Sequence, residues 1–97
     1  MSDKERNDSR LSYGDLTDEE LLNLYKNGDP LCFDAIMLRY KNMVLEIAKD
    51  FFLISGDKDD LIQEGMIGLY KAVRDYKEDS AAKFSTFAYT CIKRQIL

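Results

Sequence analysis

Three features predict an all-α fold: apolar residues recur at intervals of three and four, capping signals open each periodic stretch, and strand-like alternation is missing. At 97 residues and 11.2 kDa, the chain can bury one core of ordinary domain size. Hydrophobic residues at 45% and charged residues at 33% give the balance of a soluble globular protein. The connections are short and no internal repeat or low-complexity tract interrupts them, so a compact four-helix bundle is the expected architecture.

Residues 1–15 mix charge with Ser, Asn and Gly without periodicity and are expected to form a flexible lead; residues 16–97 are expected to form the domain. Thr17, with Glu20 three residues on, predicts a capping box, and Leu16 can staple onto Leu21. This short helix is predicted to end near Asn27, with Gly28 as a left-handed cap. Asp29 and Pro30 start the next helix, because the carboxylate accepts free amides and proline's missing N–H costs nothing at the first position. Its stripe of Phe33, Ile36, Met37, Tyr40, Val44, Ile47, Ala48 and Phe51 marks one buried side, and SGDKDD at residues 55–60 breaks it.

A third helix is predicted over about residues 59–76, with Ile62, Gly65, Met66, Leu69, Val73 and Tyr76 toward the core. After the polar link KEDSAAK, a fourth helix begins near Ser85, whose hydroxyl can cap it while Phe84 packs just before it. That helix reaches RQIL with no Gly, Asn or Pro to stop it, so the chain is expected to be a fragment with a truncated last helix.

Composition narrows the function. The longest apolar runs fall far short of the roughly 20 residues a membrane span needs, and MSDKERNDSR is no signal peptide, so a cytoplasmic location is expected. Cys32 and Cys91 lack paired spacing and the chain has no histidine, so no metal, no disulfide and no cofactor are expected; both thiols are read as reduced and mostly buried. A net charge of −4 argues against coating nucleic acid by bulk positive charge. The charge is uneven, however: residues 83–97 hold three bases and no acid, whereas residues 57–64 hold four acids and one lysine. Such a split suits two different partners.

Two stretches carry chemistry. In DDLIQEGMIGLY, the side opposite the expected core carries Asp60, Gln63, Glu64, Ile67, Tyr70, Lys71 and Arg74. Apolar anchors set among polar groups fit a docking face. Equally, a neighbouring helix could cover Ile67 and Tyr70 while the acids cap and solubilise. Gly65 and Gly68 suit close backbone approach and favour docking. In KFSTFAYTCIKRQ, aromatic rings interleave with Thr86 and Thr90 and are flanked by Lys83, Lys93 and Arg94, the combination that single-stranded nucleic acid requires. Aromatics at helical spacing also serve packing, and on a helix Phe84, Ala88, Cys91 and Ile92 lie toward the core with Phe87 at the margin of the outer stripe.

DLIQEGMIGLYKAV followed by KFSTFAYTCIKRQI resembles region 2 of the sigma-70 family of RNA polymerase sigma factors, and RYKNMVLEIAKDFF resembles the first part of that region. FFLISGDKDDLIQEGMIGLYKAVRDYKED is most similar to the sporulation-type members. The resemblance covers roughly residues 17–97, with two long motifs in order. It implies an alternative sigma factor of sporulation or stationary-phase type that binds the polymerase core and recognises and melts the promoter −10 element.

The implied core-binding residues are Asp60, Gln63, Glu64, Ile67 and Tyr70, facing the coiled coil of the β′ subunit. The implied DNA-binding residues are Lys83, Phe84, Thr86, Phe87, Thr90, Lys93 and Arg94, facing the non-template strand, with Phe87 where the family stacks a flipped adenine. An anti-sigma factor is a further implied partner. Housekeeping members carry a Trp pair where this chain has Thr90 and Cys91, which points to weaker spontaneous melting. The alternative function is a helical protein-interaction module without DNA binding. An enzyme fits poorly: no catalytic constellation is present, and a calcium loop from Asp57 fails because Ile62 and Gly68 stand where Gly and Glu are needed.

Overall fold

The computed structural model describes residues 13–55, 57–78 and 81–97. Among these residues there is no strand, and the fold is all-α. The main helices are α1 (Asp18–Lys26), α2 (Pro30–Ser55), α3 (Lys58–Asp75) and α4 (Phe84–Ile96), and residues 13–15 form a helical turn. The chain divides into two compact units, Met1–Ile36 and Met37–Leu97.

Local signals set the helix ends of the first unit. The Glu20 amide donates to Thr17 Oγ1 at 3.1 Å and the Thr17 amide donates to Glu20 Oε1 at 2.8 Å, so two orphan donors satisfy each other. Gly28 has φ +108°, which only glycine adopts without strain. Its amide donates to Tyr25 O and that of Asp29 to Leu24 O, the paired bonds of a Schellman cap. Asp29 Oδ1 then accepts from the Leu31 amide at 3.1 Å and opens α2.

Of the lead expected over residues 1–15, residues 1–12 lie outside the described residues. The Tyr13 hydroxyl donates to Asp29 Oδ2 at 2.7 Å, a bond that pushes the Tyr13 pKa up to about 12 and holds the Asp29 carboxyl below its usual range. Leu21, Leu22, Cys32 and Ile36 are buried, and the Tyr25 and Phe33 rings meet at 5.4 Å. Burial pushes the Cys32 thiol up to about 11, making it a packing group and a poor nucleophile.

In the second unit, α2 buries Tyr40, Val44, Ile47 and Ala48. Asp57 Oδ1 accepts from the Asp60 amide at 3.1 Å and caps α3. The chain leaves α3 at Tyr76, where the backbone turns extended and the side-chain hydroxyl donates to the Ala82 carbonyl at 2.8 Å. Phe84 is fully buried, meeting Tyr40 edge-on at 5.3 Å and Tyr76 edge-on at 5.4 Å, the preferred geometry for ring pairs.

Two expectations are corrected here. The inner side of α3 also takes in Leu61, Gly68 and Ala72, all buried, while Ile62 and Met66 are half-buried. And α4 starts at Phe84, with Lys83 at the cap position making no side-chain cap bond; Ser85 is inside the first turn. The buried Phe84 ring anchors the helix start where a hydroxyl cap was expected.

Late residues of α4 meet the middle of α3, and the start of α4 meets the end of α3, so the two helices run antiparallel. A Cβ on Gly68 would lie 2.8 Å from both the Cys91 carbonyl oxygen and Ile92 Cα, which means the backbones touch. A Cβ on Gly65 would lie 2.6 Å from Val44 Cγ1. Both glycines therefore serve packing within the unit, and the support they lent to a docking face is withdrawn. Among the described residues, no helix is long and apolar enough to cross a membrane.

Candidate functional site

Leu61, Gly65, Gly68, Leu69, Ala72 and Val73 form the buried side of α3, which leaves its polar residues on the other side. Asp60 and Gln63 are exposed, Ile67 is 43% exposed, Tyr70 is 44% exposed, and Glu64 is half-buried at the edge of this face. Among the described residues, no neighbouring helix fully covers Ile67 or Tyr70. Two apolar side chains thus stand in water beside carboxylates, the make-up of an anchor with a polar rim.

The acids crowd one another. Charge repulsion from Asp57, then the contact between their side chains, raises the Asp60 pKa above the usual carboxylate range, with Asp59 and Glu64 adding to it. The α3 N-terminus favours negative charge there, but the cluster remains partly frustrated. A cationic partner would relieve that repulsion.

On α4 the seven expected DNA-contacting residues separate by burial. Lys83, Thr86, Lys93 and Arg94 are exposed, and Phe87 and Thr90 are half-buried. Phe84 is corrected: at 0% exposure, clasped by Tyr40 and Tyr76, it has no ring face left for a base, and its part is to hold the others in place. Phe87 leans on Tyr76 with centroids 5.6 Å apart and rings inclined by 50°. Tyr89, 43% exposed, lies under Lys93 Nζ at 5.6 Å, within cation–π range. The Thr90 hydroxyl donates to the Thr86 carbonyl at 3.2 Å. Burial raises the pKa of the half-buried Cys91 thiol, which disfavours thiolate chemistry beside this surface.

A connection that sequence reading missed joins the two helices. Gln95 Nε2 donates to Glu64 Oε1 at 2.7 Å, and Lys71 Nζ donates to Gln95 Oε1 at 2.8 Å. Glu64 and Gln95 are 31 residues apart, beyond any helical period. The one available signal was register, since Gln95 continues the spacing of Ala88 and Cys91 and places a polar group beside the core stripe.

Residues 36–97 match the family described as Sigma-70 region 2. Two similar curated proteins are RNA polymerase sigma-H factors. That of Bacillus licheniformis is 42% identical over 89 residues, covering 92% of this chain and 40% of the relative. That of Bacillus subtilis is 45% identical over 82 residues, covering 84% and 38%. More distant is the ECF RNA polymerase sigma-E factor of Escherichia coli, 34% identical over 74 residues and covering 76% and 37%. The chain therefore spans about 40% of the length of these relatives. The outward acidic and apolar face of α3, the basic and aromatic surface of α4 and the match over residues 36–97 lead to one assignment: the chain belongs to the sigma-70 family and carries its region 2.

Proposed function

We propose that this chain is the polymerase-binding and promoter-opening part of an alternative sigma factor of sporulation or stationary-phase type, acting in the cytoplasm. The observation that carries the reading is the outward face of α3, where Ile67 and Tyr70 are exposed one to two turns after Asp60, Gln63 and Glu64. On this reading the partner is the β′ coiled coil of the polymerase core. Ile67 and Tyr70 supply the desolvated contact, and the acids and Gln63 set orientation, raise the on-rate toward a basic surface and add affinity through charge-assisted hydrogen bonds.

The second partner is the non-template strand of the −10 element. Phe87 offers a ring to a flipped adenine, Thr86 and Thr90 offer hydroxyls, and Lys83, Lys93 and Arg94 offer charge to phosphates. Flipping costs a few kcal/mol, and a stacked base returns about 1–3 kcal/mol. Melting is then binding energy redirected, and the chain makes and breaks no bond. Thr90 and Cys91, in place of the bulky Trp pair of housekeeping members, suit a factor with weak spontaneous melting and its own promoter set. Residues 16–97 would act as the working domain, with residues 1–15 as a lead and an anti-sigma factor as a further partner.

A second reading, protein docking without DNA binding, draws support from the engagement of Phe87 with Tyr76 and of Lys93 with Tyr89 inside the chain. The docking claim common to both is tested by titrating the chain with an isolated β′ coiled coil. The native chain is expected to bind, and Gln63→Ala or Glu64→Ala to weaken binding by about tenfold or more. Unchanged binding by both variants would remove the claim.

A further inference from the structure

We infer that Gln95 is a positioning residue for docking: it holds the Glu64 carboxylate in the orientation a cationic partner meets. The inference rests on the polymerase-docking reading and adds to it a residue outside the docking face.

Glu64 and Lys71 are seven residues apart, about two helical turns and roughly 10 Å along α3, and both reach Gln95 across the contact with α4. A glutamine amide has chemically opposite ends. Here the N–H end meets a carboxylate at 2.7 Å and the carbonyl end meets an ammonium at 2.8 Å. Reversing the amide would set N–H against N–H and oxygen against oxygen, so the two charges fix its orientation. The backbone is fixed as well. A Cβ on Gly68 would lie 2.9 Å from Gln95 Cβ, so the side chain starts from a close contact between the helices.

The consequence falls on Glu64. A long carboxylate side chain standing free in solvent must give up rotamer freedom when it docks. With Oε1 held by Gln95, that freedom is already restricted in the unbound chain, and Oε2 remains for the partner's cation.

The test measures calorimetric affinity of the 97-residue chain for the isolated β′ coiled coil, using the native protein, Gln95→Met, Gln95→Glu, Glu64→Ala, Ile67→Ala and the Gln95→Met/Glu64→Ala double variant. Methionine keeps the length and the Gly68 contact but removes both amide bonds. Gln95→Met is expected to weaken binding about fivefold with the thermal midpoint nearly unchanged. Gln95→Glu, which sets a second carboxylate against Glu64, is expected to weaken it further, and serves as the probe should the methionine variant melt.

The signature of positioning is non-additivity: once Glu64 is alanine, removing the amide should cost nothing more. Native-like binding by both Gln95 variants, with Glu64→Ala weakened, overturns the inference and leaves the docking reading intact. Losses from Gln95→Met and Glu64→Ala that simply add also overturn it. Native-like binding by both Glu64→Ala and Ile67→Ala overturns the docking reading, and the inference falls with it.

Discussion

The outward faces of α3 and α4 belong to neighbouring helices of one unit, yet they hold their groups in opposite ways. On α3 the carboxylates repel one another, and Ile67 and Tyr70 stand close to half exposed in water. On α4 one ring is fully buried, another leans on Tyr76, the exposed tyrosine lies under a lysine, and a threonine hydroxyl is spent on the backbone. If the faces act as proposed, a protein partner meets Ile67 and Tyr70 already partly exposed and Glu64 held by Gln95, whereas a base must draw Phe87 away from Tyr76. On the proposed function, docking comes first and reading second, and the free chain binds DNA weakly.

The two phenylalanines of α4 sharpen that comparison most strongly. Phe84→Ala is expected to destabilise the second unit by about 4 kcal/mol, because it empties the space between Tyr40 and Tyr76. Urea unfolding measures this, and a loss below 1 kcal/mol would mean that Phe84 is not the anchor of α4. Phe87→Ala should leave the fold standing while weakening capture of a non-template −10 strand by the polymerase-bound chain, by about 1–3 kcal/mol or roughly 5- to 150-fold. Indifference of strand binding to Phe87→Ala would favour the reading without DNA.

The smallest expected effect lies on α3. Asp60→Asn removes a charge whose pKa is raised by repulsion, so the variant should be slightly more stable than the native chain at neutral pH while docking more weakly. A raised carboxylate pKa means that the native fold is disfavoured as pH climbs through that value. The stability advantage should therefore fade as pH falls and the native Asp60 becomes protonated. An advantage unchanged in acid would show that charge repulsion is not its source.

How much of this was legible beforehand depended on whether the signal was local. Thr17 with Glu20, Gly28, and Asp29 before Pro30 each act within four residues, and each stands where sequence reading put it. The start of α4 was misread because Ser85 looks like a cap, while the real anchor is Phe84 held by rings from α2 and the end of α3. The inner side of α3 was only partly visible. Gly68 carries little hydropathy of its own, and only the arrival of the α4 backbone reveals why it is small. On α3, Asp60, Gln63, Ile67 and Tyr70 are exposed and Glu64 is half-buried. Phe84 left the site for the core, and Gln95 joined through a bond no spacing rule could reach.

Side-chain footprinting in two steps tests the central claim most directly. Hydroxyl-radical labelling of Ile67, Tyr70 and Tyr89 would be followed in the free chain, after adding polymerase core, and after adding a promoter strand. The account predicts that core alone protects Ile67 and Tyr70 and leaves Tyr89 reactive, with the α4 surface changing only when the strand arrives. Protection of Tyr89 by core, with Ile67 and Tyr70 as reactive as before, would contradict it.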